Sequence, residues 1–93
     1  EVVDGEESFV VEAPVLSLSP NPASSTVRLS GSFIDSDVVI YDLSGREVLR
    51  MNSIPAVNGL HIDISSLKTG SYIVNVLDAS SGISKATSKL TIQ

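Results

Sequence analysis

The sequence predicts an all-β protein, an antiparallel β-sandwich of seven to eight short strands. Three observations point there. Apolar and polar residues alternate with period two along most of the chain, and no stretch sustains the period of a helix. Turn-forming residues recur roughly every eight to twelve positions, the spacing of a sandwich or barrel. Val, Ile and Leu supply 29 of the 93 residues and Ser another 17, whereas Ala, Gln and Glu are sparse beyond the N-terminal segment. Propensity therefore favours strands over helices.

Taken in order, SFVVEA (8–13) and VLSLS (15–19) read as strands separated by Pro14. STVRLSG (25–31) places Val27 and Leu29 on one face and Arg28 and Ser30 on the other. DVVIYD (37–42) is apolar on both faces, as a central strand should be. REVLRM (46–51) sets Val48 opposite Glu47 and Leu49. LHIDI (60–64) turns Ile62 and Ile64 inward and His61 and Asp63 outward. SYIVNVLD (71–78) reads as a long strand, and ISKATSKLTI (83–92) closes the chain. Residues 1–7 carry little that could pack and read as an acidic linker ahead of a domain spanning 8–93.

The connections are specific. In SPNPASS, Pro20 and Pro22 remove two backbone donors only two positions apart, and Asn21 is driven toward extended conformations by the proline that follows it. The segment reads as a stiff corner between strands, with the Asn21 side chain tying the loop to itself. In YDLSGREV (41–48), Asp42 can accept hydrogen bonds from the backbone ahead of it, and Gly45 suits the left-handed position of a type I turn plus bulge. In ISSLKTGSYIV (64–74), Leu67 can plug the core, Gly70 supplies a bend, and Tyr72 stands where sandwich folds place a tyrosine corner. That corner favours a sandwich over a closed barrel. LDASSGIS (77–84) is a glycine-containing hairpin loop.

Ninety-three residues make one domain that buries only about 60–65% of its unfolded surface, with little room for an enclosed cleft. The net charge of −5 is uneven: Glu1, Asp4, Glu6, Glu7 and Glu12 lead the chain, and from residue 13 onward six acids balance six bases. No basic stripe exists to neutralise phosphates, so nucleic acid and anionic membrane are not expected partners. No run approaches the roughly 20 apolar residues of a membrane span, so direct membrane insertion is not expected either. There is no cysteine, hence no thiol chemistry. The opening EVVDGEES carries no targeting pattern and reads as the interior of a longer protein.

Chemistry-bearing residues are scarce. His61 is the single histidine, on the polar face of a short strand with Asp63 two residues on, and no nucleophile elbow marks a serine to partner it. One histidine without cysteine does not make a zinc site. Asp35 and Asp37 lack the glycine and closing glutamate of a calcium loop and read as solvated loop acids. No cofactor is expected, and the chain does not read as an enzyme.

The order of the corners says more than any one of them. Pro-Asn-Pro-Ala (20–23), Ile-Tyr-Asp-Leu-Ser-Gly-Arg-Glu-Val (40–48) and Ile-Ser-Ser-Leu-Lys-Thr-Gly-Ser-Tyr-Ile-Val (64–74) are followed by a terminal strand bearing Lys85 and Lys89. This series resembles the type A C-terminal sorting domain of the type IX (Por) secretion system of Bacteroidetes. It extends over residues of about 15 to 93. Two positions depart from the family: Ser19 stands where an aromatic residue often precedes the first proline, and the chain ends on Gln93 where many members end on a basic residue.

The resemblance implies an immunoglobulin-like sandwich fused behind a cargo protein. The cargo would cross the periplasm, be handed to the outer-membrane translocon, and be released from the domain by a cell-surface sortase, which acts on the domain as a substrate. The family-motif residues would be Pro20, Asn21, Pro22, Tyr41, Asp42, Gly45, Arg46, Leu67, Gly70, Tyr72, Lys85 and Lys89. Cleavage would fall in Glu1, Val2, Val3, Asp4, Gly5, Glu6, Glu7 and Ser8. Among the contacts, the terminal strand with Lys85 and Lys89 is placed first, then the Gly45–Arg46 turn, with the proline corner mainly structural. The alternative is an immunoglobulin- or fibronectin-like accessory module for glycan binding, spacing or dimerisation. The edge strand 83–92 would offer a pairing surface for a second copy.

Overall fold

A computed structural model describes residues 15–93. The linker and cleavage region expected at 1–8, and the strand expected at 8–13, lie outside them. The described residues form seven strands and no helix: β1 Ser17–Ser19, β2 Thr26–Ser30, β3 Ile34–Asp42, β4 Glu47–Ala56, β5 His61–Asp63, β6 Gly70–Asp78 and β7 Ser84–Ile92. They make two antiparallel sheets, ordered β1-β2-β5 and β4-β3-β6-β7. The architecture is that of a small immunoglobulin-like sandwich.

The core lies between the sheets and follows the alternation of the sequence. Val27, Leu29 and Ile62 come from one sheet; Val38, Ile40, Tyr72, Val74, Val76, Leu90 and Ile92 come from the other. Ile64, just past β5, joins them and is fully buried, while His61 and Asp63 face solvent. Each fully buried aliphatic contributes about 1.5–3 kcal/mol relative to exposure, so this branched-aliphatic layer is the main source of stability.

Three features of β3 and β4 differ from the reading of the sequence. β3 begins at Ile34 rather than 37, which takes Asp35 and Asp37 out of a loop and into a strand. Asp37 is half-buried, accepts a hydrogen bond from the Ser53 amide at 2.8 Å and lies 3.6 Å from Arg50. β4 runs on to Ala56, past Pro55. It pairs only with β3 and is an edge strand, a setting in which proline need cost no ladder bond. Finally, Val48 and Leu49 both pack against the core instead of dividing between faces. The register slips between Ile40/Leu49 and Tyr41/Glu47, leaving Val48 as the extra residue of a bulge.

Candidate functional site

The turn from β3 to β4 is built around one carboxylate. Oδ1 of Asp42 accepts from the Ser44 amide and the Arg46 amide, each at 3.0 Å, and from Ser44 Oγ at 2.6 Å. Its Oδ2 meets Arg46 Nε at 3.2 Å. The Gly45 amide donates to the Asp42 carbonyl at 3.0 Å, and Gly45 itself sits at φ +90°, where a Cβ would be strained. The hydrogen bonds of Ser44 and Arg46 hold the Asp42 carboxyl below its ordinary pKa.

The connection from β5 to β6 forms the corner that the sequence predicts. Tyr72 is buried, and its hydroxyl donates to the Lys68 carbonyl at 2.6 Å. Leu67 is half-buried against the core, and Gly70 opens β6 at φ +150°. Register places this corner beside the Asp42 turn, since Asp42 pairs with Tyr72 and Tyr72 pairs with Leu90. The two connections line one open groove of about 720 Å³, to which Asp42, Arg46, Leu67, Lys68, Gly70 and Tyr72 contribute.

The proline segment reaches the same end of the molecule by an unexpected route. Asn21 does not tie its loop to itself. Its Nδ2 donates to the Lys89 carbonyl at 3.0 Å and its Oδ1 accepts from the Thr91 amide at 3.1 Å. Two residues on, the Ala23 amide donates to the Thr91 carbonyl and the Ala23 carbonyl accepts from the Gln93 amide, both at 2.8 Å. Ala23 thus bridges Ile92 in parallel, and the Asn21 amide stands in for the next peptide of the ladder. From Lys89 to Gln93 the outer edge of β7 is occupied. That portion of the edge gives a second copy no place to pair, contrary to the expectation for strand 83–92.

The two lysines of β7 part company. Lys89 is exposed, and no anionic side chain pairs with it among the described residues. Lys85 falls in the irregularity where Val76 pairs with Ala86 but Leu77 pairs with Ser84. The bulge turns its ammonium inward, to the Ile34 carbonyl at 2.7 Å, Ser36 Oγ at 3.0 Å and Asp78 at 3.6 Å. Ser36 is fully buried, so Lys85 caps a buried hydroxyl at the opposite end of the sheet while its own side chain stays partly exposed. Tyr41 is half-buried but stands outside the core cluster; it pairs with Ile73, which pairs with Lys89. The structure therefore gathers Pro20, Asn21, Pro22, Asp42, Gly45, Arg46, Leu67, Gly70, Tyr72, Tyr41 and Lys89 toward one end, and leaves Lys85 apart.

Two further carboxylates repeat the Asp42 device. Asp63 accepts from the Ser65 amide at 2.9 Å and hydroxyl at 2.6 Å, and Asp78 accepts from the amides and hydroxyls of both Ser80 and Ser81 at 2.7–3.2 Å. These serines lower the pKa of both groups, Asp78 furthest. The recurrence of Asp-x-Ser at 42, 63 and 78, each closing a strand, was a readable signal for all three clamps. Among the described residues no group of three or more His, Cys, Asp or Glu side chains could hold a metal ion.

The fold defines a class: a small all-β sandwich of two antiparallel sheets. Residues 17–93 match the model of the secretion system C-terminal sorting domain, and the chain belongs to that family, the sorting signals of type IX secretion. Members are non-catalytic tails, and membership implies a fused cargo, dealings with the secretion machinery, and export to the cell surface or beyond it. No curated protein and no solved structure matched the chain.

Proposed function

We propose that the domain acts as a folded address, read at the end where its three connections meet. The observation that carries this is convergence. Stretches 20–23, 41–48 and 64–72, distant in sequence, come together around the groove and the terminal part of β7. Rigid, self-bonded turns present the same surface in every copy, which is what recognition of a folded element requires. The cargo crosses the periplasm, the outer-membrane translocon engages this end, and the surface sortase then cuts within residues 1–8, so that 8–93 is the sorting domain and 1–7 its linker. Lys89 and the Gly45–Arg46 turn supply contacts; Lys85 supports the fold.

The test is export of a reporter that carries a periplasmic signal peptide and ends in residues 1–93, in a Bacteroidetes host. Surface or medium reporter is expected for the native domain, with a drop of about tenfold or more for Arg46→Glu. Reporter held in the periplasm beside a folded, intact domain would instead favour the accessory-module reading. For cleavage, the N-terminus of the released domain should fall at or before residue 8; a start inside 9–13 overturns the assignment.

A further inference from the structure

The outer face of the four-stranded sheet carries apolar residues that the core does not use. Paired residues in an antiparallel sheet share a face, so Glu47, Tyr41, Ile73 and Lys89, matched in turn across β4, β3, β6 and β7, form one row. Tyr72, Val74 and Val76 point into the core, and Ile73, Asn75 and Leu77 alternate with them on the opposite face, half-buried. Val39, in the neighbouring row, is fully buried yet is not part of the core cluster. Tyr41 and Ile73 thus form an apolar pair on the side away from the core; in the next rows Val39 is matched with Asn75 and Leu77 with Asp37.

Its margins differ in charge. On the β4 side, Arg50 holds both oxygens of Glu47 at 3.1 Å and lies 3.6 Å from Asp37, so one cation serves two carboxylates and both are already engaged. On the β7 side stands the exposed ammonium of Lys89. A second copy related by two-fold symmetry would set Lys89 against Glu47, a carboxylate already engaged. A glycan platform would need more aromatic surface than the single ring of Tyr41. The complement of this face is a polypeptide that lays an apolar side chain over Tyr41 and Ile73 and brings a carboxylate to Lys89.

Resting on the sorting reading, we propose that this face docks such an acid-bearing apolar segment of an export-machinery protein, alongside the groove at the sheet's end. The test uses the reporter fusion with Ile73→Lys, Lys89→Glu and, as a control at the far end, Ala79→Glu, with the melting temperature of each purified domain measured in parallel. Ile73→Lys and Lys89→Glu should each lower surface reporter at least tenfold, and Ala79→Glu should leave it unchanged. Lys89 is exposed, so Lys89→Glu keeps the native melting temperature even if Ile73→Lys does not. Native export of a folded Lys89→Glu domain overturns the inference while the sorting reading stands; failure of the native fusion overturns that reading itself. Sedimentation of the domain over a hundredfold range of concentration completes the test. A dimer abolished by Ile73→Lys would assign the face to a second copy and overturn the proposed partner.

Discussion

The two ends of the sandwich are made with the same device and put to different use. At one end Asp42 and Asp63 clamp their turns through serine; at the other Asp78 does the same with Ser80 and Ser81. A clamped turn is therefore this fold's way of ending a strand and does not by itself mark a binding surface. What separates the ends is where the cations go. Lys85 turns inward to Ile34, Ser36 and Asp78, whereas Lys89, four residues along the same strand, stays in solvent. Rigidity is shared by both ends; available charge is not.

The largest expected effect that sharpens this contrast is on stability. Lys85→Glu sets a carboxylate against the Ile34 carbonyl and Asp78 and should cost about 1–3 kcal/mol, whereas Lys89→Glu should stay within about 0.5 kcal/mol of native. Urea unfolding of the two variants measures the difference, and equal losses would erase it. Tyr72→Phe removes the hydroxyl bond to Lys68 and should cost about 1 kcal/mol, with extra mobility confined to the 64–72 corner in amide exchange. Asn21→Ala should speed exchange of the Thr91 amide, with a smaller change at Gln93, whose partner is backbone. A uniform rise across β7 would mean that the segment stabilises the whole strand rather than its end.

Acid should act through all three clamps and so fail to distinguish the ends. The folded state depresses the pKa of Asp42, Asp63 and Asp78, so the stability they contribute is present above their unfolded pKa, near 3.9, and is lost as pH falls through the folded values. The melting temperature should be insensitive to these groups between pH 5 and 7 and fall below about pH 4. Asp78→Asn should reduce that acid sensitivity.

What the sequence revealed follows the range of the interactions. The strands, the Asp42–Gly45 turn and the Tyr72–Lys68 corner depend on neighbours within a few residues, and periodicity or turn chemistry exposes them. The bonds of Asn21 span 68 and 70 residues, and no local pattern shows that an asparagine between prolines will meet a distant strand edge. Lys85 was read as a surface cation because strand alternation hides a bulge. Asp35 and Asp37 interrupted an apolar run and concealed the first residues of β3, although Asp37 is balanced there by Ser53 and Arg50. The type of each element was legible; the cross-chain satisfaction of its polar groups was not.

The seat of Asn21 and Ala23 on β7 also makes the marked end a report on completeness. Its early and late parts hold each other, and closing contacts across some seventy residues requires that the intervening sheets be in place. A chain interrupted before Lys89 would carry Pro20–Ala23 intact in sequence and yet have nothing to lay it against. Such an address would become legible only once the whole domain has been made and folded, so the mark that dispatches the cargo would also certify that the fold behind it is complete.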